Sequence, residues 1–131
     1  MTDIIESRVI EHDGIKYKVQ VMSDRDSSPD DADCYSDGDK QAWRDYRWTY
    51  VGIVVTVADV GDESRADLWG IEWGEFGDQY LDLDHYLTTI DMISTDLLTG
   101  RTHESTKVSE LMDEARSNAR DYRDRLNAMT L

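Results

Sequence analysis

Any chemistry in this chain has to come from carboxylates. Of 131 residues, 29 are acidic (21 Asp and 8 Glu), against 14 Lys and Arg, three His and one Cys. Aspartates in clusters suggest calcium first. An EF-hand loop needs acids at positions 1, 3 and 5, Gly at 6 and Glu at 12. Started at Asp33, the frame around Asp37-Gly38 puts Tyr35 at position 3 and Arg44 at position 12, so it fails. His12, His85 and His103 form no zinc spacing with Cys34, and there is no second cysteine for a disulfide. Aspartates around Cys34 raise rather than lower a thiol pKa, which favours an unreactive surface thiol. Carboxylate pairs such as Asp82/Asp84 and Glu72/Glu75 have the reach for acid–base work, but 29 acids produce such pairs by chance. There is no Gly-rich phosphate loop, nucleophile elbow or dinucleotide fingerprint. The expectation is a protein with no catalytic residues, no metal and no cofactor.

What the carboxylates can do collectively is hold a field. The formal charge is −15, and it is unevenly spread. Residues 101–131 carry six acids and six bases, so the whole excess lies in residues 1–100. Residues 59–91 hold ten acids and one base, and residues 23–39 hold seven acids and one base. Such a field repels nucleic acid and anionic membranes and speeds encounter with basic partners. The candidate partner-binding set is Asp59, Asp62, Glu63, Asp67, Glu72, Trp73, Glu75, Asp78, Asp82 and Asp84. Carboxylates on strands and turns approximate the spacing of phosphates, so this set can compete for the basic groove of a nucleic-acid-binding protein. Solvation is the competing explanation, and ten Arg against four Lys suits salt adaptation. The neutral C-terminal segment does not, because salt adaptation acidifies exposed faces throughout.

The elements that must position these acids centre on residues 48–73. Val51, Ile53, Val55 and Val57 alternate with Trp48, Tyr50 and Val54, which predicts a strand covered on both faces. Residues 68–73 return as its partner, with Trp69, Ile71 and Trp73 on one face. Trp48 and Trp69 are expected in the core; Trp43 and Trp73, near polar residues at strand ends, suit either core or partner. Upstream, Asp13-Gly14 as a two-residue turn pairs Glu11 with Lys16, Ile10 with Tyr17, Arg8 with Val19 and Glu6 with Val21. That register puts Ile4, Ile10, Ile15, Tyr17, Val19 and Val21 on one face. Residues 23–40 have the only proline and no periodicity, and are expected as an acidic, mobile loop. Downstream, with Asp78 or Asp82 as N-cap, Leu83, Tyr86, Leu87, Ile90, Ile93 and Leu97 predict a helix ending at Gly100. A second helix over about 105–129 carries Val108, Met112, Ala115, Ala119, Tyr122, Leu126 and Met129 at heptad-like spacing, widened by Leu111. That stripe packs on the sheet or forms a homodimer. The expected fold is one α+β domain: an antiparallel sheet of about four strands in two hairpins, then two C-terminal helices on one face. No stretch approaches the length of a membrane helix, and the N-terminus lacks the basic-then-apolar pattern of a secretion signal. A cytoplasmic location is expected.

The segments YVGIVVT (50–56), LWGIE (68–72) and Tyr80-Leu81 resemble a group of small acidic bacteriophage-encoded proteins of unknown function, particularly from phages of high-GC hosts. The resemblance covers about residues 48–81 and the C-terminal helix. It brings no catalytic residues. It implies an accessory phage protein acting in the host cytoplasm, a setting in which small acidic proteins often inhibit nucleic-acid machinery, as anti-CRISPR and anti-restriction proteins do. The expectation is a non-enzymatic inhibitor of a host nucleic-acid-binding or defence complex. The alternative is a phage accessory or assembly protein whose acidity is only solvation.

Overall fold

Asp13 and Gly14 both have positive φ, 53° and 78°, the combination a two-residue type I′ turn requires. The turn joins β1 (Ile4–His12) to β2 (Ile15–Ser23), with Glu11 opposite Lys16, Ile10 opposite Tyr17, Arg8 opposite Val19 and Glu6 opposite Val21. This is the register expected from the alternation. It fails at one end. A bulge between Ile4 and Glu6 turns Ile4 off the inner face, leaving it 55% exposed.

The computed structural model describes residues 3–129. β2 pairs with β3 (Trp48–Val57), β3 with β4 (Ala66–Phe76) and β4 with β5 (Gln79–Leu81), all antiparallel. The five strands lie in chain order and curl into a half-barrel. In a flat sheet β1 and β5 would lie roughly 19 Å apart. Curling instead lets Arg8 on β1 reach Asp84, just beyond β5, at 2.7 Å.

Inside the curl lies the main core: Tyr17, Val19 and Val21 of β2, Val51, Ile53, Val55 and Val57 of β3, and Ala66 and Ile71 of β4. Val108, Leu111, Met112, Ala115 and Ala119 close it from the C-terminal helix. Burying each β-branched side chain fully contributes about 1.5–3 kcal/mol relative to leaving it exposed. The opposite face of β3 is covered too, as its unbroken apolar sequence requires. Trp48, Tyr50 and Val54 are buried there, with Tyr35 against the rings of Trp48, Tyr50 and Phe76.

The expected four strands in two hairpins with two helices on one face need three corrections. First, β5 adds a strand, and residues 23–40 contain a 3₁₀ turn (Pro29–Asp31) and the start of a helix, α1 (Asp37–Arg44). Ser36 caps α1 in a reciprocal box with Asp39, and the Trp48 indole donates to the Asp39 carbonyl at 2.9 Å. A helix therefore also lies against the Trp48 end of the outer face. Second, the helix expected from Leu83 to Gly100 stops early: α2 is Leu83–Thr88. Residues 92–105 form a separate two-stranded ribbon, β6 (Met92–Thr95) and β7 (Thr102–Ser105). The β-branched run of Thr88, Thr89, Ile90, Ile93 and Thr95 weakens a helix and suits a strand. Third, the bulge at Gly70 reverses the faces of β4. Trp69 and Gly70 both oppose Gly52, between the Val51–Ile71 and Ile53–Leu68 pairs. Trp69 therefore lies on Gly52, on the outer face and 39% exposed, while Ile71 and Trp73 face inward.

The last helix, α3 (Lys107–Met129), forms as expected. Thr106 and Ser109 cap it reciprocally: the Thr106 side chain accepts from the Ser109 amide and the Ser109 side chain from the Thr106 amide. Its stripe is buried as far as Ala119. Leu126 and Met129, beyond the sheet, are exposed.

Candidate functional site

The acids expected to act together sit in three places. Asp59, Asp62 and Glu63 occupy the β3–β4 connection, all exposed. Buried Ser64 holds that connection rigid. Its hydroxyl accepts from the Val57 amide at 2.7 Å and donates to the Gly61 carbonyl at 2.6 Å. Asp67, Glu72, Trp73 and Glu75 lie along β4. Register puts Asp67 opposite Val54 and Glu72 opposite Tyr50, on the outer face. Trp73, opposite Thr49, packs against the inner core. Asp78 lies in the β4–β5 turn, and Asp82 and Asp84 open α2.

Three of these carboxylates are committed within the chain. Asp67 pairs with Arg65 at 3.0 Å. Asp82 accepts from the His85 amide at 2.9 Å as the α2 N-cap. Asp84 pairs with Arg8, which also holds Glu6 at 2.7 Å. Both carboxylates raise the Arg8 pKa, the Asp84 hydrogen bond most. By contrast, Asp59, Asp62, Glu63, Glu75 and Asp78 are exposed and have no ion pair among the described residues. They form two groups at opposite ends of β4.

Asp59 has a further neighbourhood. It lines a groove of about 720 Å³ with Lys16, Arg116, Arg120, Arg123 and Asp124, floored by Ile15, Val57 and Ala119. The basic half of neutral α3 thus lies beside the first acid group.

Sequence reasoning missed two features. Asp24 locks the acidic segment to the sheet: Oδ2 accepts from the Gly70 amide at 2.9 Å and from the Ser27 hydroxyl, and Oδ1 from the Asp26 amide. The bulge frees the Gly70 amide, so neither half of this contact is visible without the register. The second feature is the buried tyrosine set. The Tyr35 and Tyr50 rings meet edge to face with centroids 6.4 Å apart, and burial pushes both phenols up. Burial likewise raises Tyr86, whose hydroxyl donates to the Glu72 carbonyl.

His85 Nδ1 lies 3.3 Å from Thr89 Oγ1, Lys107 Nζ lies 2.9 Å from Asp91, and Cys34 is a free, exposed thiol. Among the described residues, no group of three or more His, Cys, Asp or Glu is placed to hold a metal ion, and no helix is long and apolar enough to cross a membrane. Comparison of the chain with protein-family models, curated proteins and solved structures finds no match in any of the three.

Proposed function

We propose that this chain is a non-enzymatic interaction protein whose carboxylates occupy the basic groove of a nucleic-acid-binding protein or complex and exclude its ligand. The observation that carries this reading is the pair of exposed, unpaired acid groups at the two ends of β4, Asp59/Asp62/Glu63 and Glu75/Asp78. Ser64 fixes the first group without using its acids. Glu72 adds charge between them. In the phage setting implied by the resemblance, the target is a host defence complex of the CRISPR or restriction type, met in the host cytoplasm.

Solvation alone is the second reading. It is favoured by the internal commitment of Asp67, Asp82 and Asp84, which shows that acids in this stretch also serve the fold. Affinity capture from a bacterial lysate, followed by competition, separates the two. Groove occupancy predicts a nucleic-acid-binding protein, released by added duplex and by raised salt, because the attraction is screened within about 8–10 Å at physiological ionic strength. Binding indifferent to both duplex and salt would overturn the proposal.

A further inference from the structure

The groove beside Asp59 collects cations that the fold leaves unused. Arg8, Arg25, Arg44, Arg65 and Lys107 are each held to a carboxylate at 2.7–3.0 Å. Lys16, Arg116, Arg120 and Arg123, which line the groove, are not. Among the described residues, none of these four has an ion pair or donates a side-chain hydrogen bond.

The arrangement does not serve the helix that carries it. Arg116, Arg120 and Arg123 are exposed. They fall at i, i+4 and i+7, within an arc of about 60° on one face of α3. Like charges at that spacing weaken a helix slightly. Carboxylates are plentiful in the chain, with 29 acids for 14 bases, yet only Asp59 and Asp124 line the groove. Four cations against two acids leave an excess of two positive charges there, in a chain of −15.

We infer that the groove is a binding site for a small nucleotide carrying two or more phosphates, a nucleoside diphosphate at the least. Each part of the groove matches a part of that ligand. The planar arginine fork donates in pairs to phosphate oxygens, and Arg116 to Arg123 span about 10 Å of helix, enough to share more than one phosphate. The floor of Ile15, Val57 and Ala119 offers a base an apolar surface, which inorganic phosphate has no use for. Asp59 and Asp124 can accept from sugar hydroxyls, as a carboxylate does beside the ribose in dinucleotide sites. The groove volume of about 720 Å³ lies within the range of small-molecule sites, roughly 300–1,000 Å³. A longer nucleic acid would leave the groove and enter the repulsive field of the chain. A nucleotide ends among the cations. At physiological salt, screening over about 8 Å lets those adjacent cations outweigh acids farther away. This inference is independent of whether the β4 acids engage a partner, and every variant below keeps those acids.

Isothermal titration calorimetry with ADP, GDP, CDP and UDP tests it, with thermal melts confirming that each variant is folded. At least one diphosphate should bind saturably at one site per chain. Inorganic pyrophosphate and the matching nucleoside, each lacking half of the ligand, should bind about tenfold or more weakly. Arg120→Glu with Arg123→Glu should lower the affinity about 100-fold or more, and the milder Arg120→Gln with Arg123→Gln about tenfold or more. Arg47→Glu with Arg101→Glu makes the same change in net charge as the glutamate pair, but outside the groove, and should leave binding within about twofold. Absence of binding by all four diphosphates overturns the inference. So does pyrophosphate, a hexaglutamate peptide or a decathymidylate strand that binds as tightly as the nucleotide. Binding that survives both groove variants, or that is lost equally in the Arg47 and Arg101 variant, overturns it too.

Discussion

Gly52 is the residue on which the central hairpin turns. A Cβ placed there would lie 2.2 Å from the Trp69 ring, and the bulge that sets Trp69 there frees the amide that Asp24 captures. Gly52→Ala should therefore cost about 1–3 kcal/mol, the range for forcing a methyl into filled space. Because Trp69 is partly exposed, Trp69→Ala should relieve most of that cost, and a double-mutant cycle of thermal melts reads the coupling. Additive effects would remove Trp69 from Gly52. The alternation of residues 68–73 implied one face for Trp69, Ile71 and Trp73; a single extra residue broke that period, and one-residue slips exchange faces. The tyrosines give a second test at this scale. Burial raises Tyr17, Tyr35, Tyr50 and Tyr86. A phenol whose folded pKa exceeds the unfolded value near 10 keeps its proton while the unfolded chain loses it. Stability from these groups is intact below about pH 10 and falls as pH rises through the folded values. A tyrosinate titration should thus show late-ionising phenols released together with unfolding, and Tyr50→Phe should remove one of them.

At the scale of elements, the sequence was legible where a local signal and a partner agreed. Asp13-Gly14 and the alternation on either side specify the β1–β2 register residue by residue, and α3 follows from its apolar spacing. The expected helix runs past the end of α2 at Thr88 because Ile90, Ile93 and Leu97 continue a helical period by coincidence. The β-branched run and the Asp96–Gly100 turn override it, and those residues face solvent. Residues 37–44 lacked an apolar period and form a helix with no buried residue, held by its Ser36–Asp39 box and the Trp48 contact. The α3 stripe allows a direct check. Ala119 is almost fully buried against the sheet, so Ala119→Arg should cost roughly 2–4 kcal/mol, read by chemical denaturation. If the variant melts like wild type and only its oligomeric state changes, the stripe would be an intermolecular surface.

At the scale of the whole molecule, charge decides what the acids are for. Among the described residues only six acids are in ion pairs with Lys or Arg (Asp3, Glu6, Asp30, Asp67, Asp84 and Asp91). Most of the excess is therefore uncompensated and opposes the compact state. Clustering of acids along the chain was legible in the sequence; which of them the fold consumes was not, because the partners of Asp84 and Asp24 lie 76 and 46 residues away. Converting Asp59, Asp62, Glu63, Glu75 and Asp78 to Asn or Gln should raise the melting temperature at low salt, a gain that shrinks as salt screens the repulsion. Solvation and groove occupancy both predict that gain, so stability alone does not separate them. Binding does. Groove occupancy predicts that the same variant loses about tenfold or more in affinity for the captured protein, chiefly through its on-rate, with a shallower salt dependence. Neutralising Asp113, Glu114, Asp121 and Asp124 of α3 should leave that affinity nearly unchanged, since they lie in a segment already balanced by arginines. Solvation predicts lower solubility for the first variant and unaltered binding for both. A β4-end variant that melts higher and binds as wild type would make the acids a property of the solvated surface, and a variant that melts higher and no longer binds would show that the chain keeps a destabilising charge because its partner reads it.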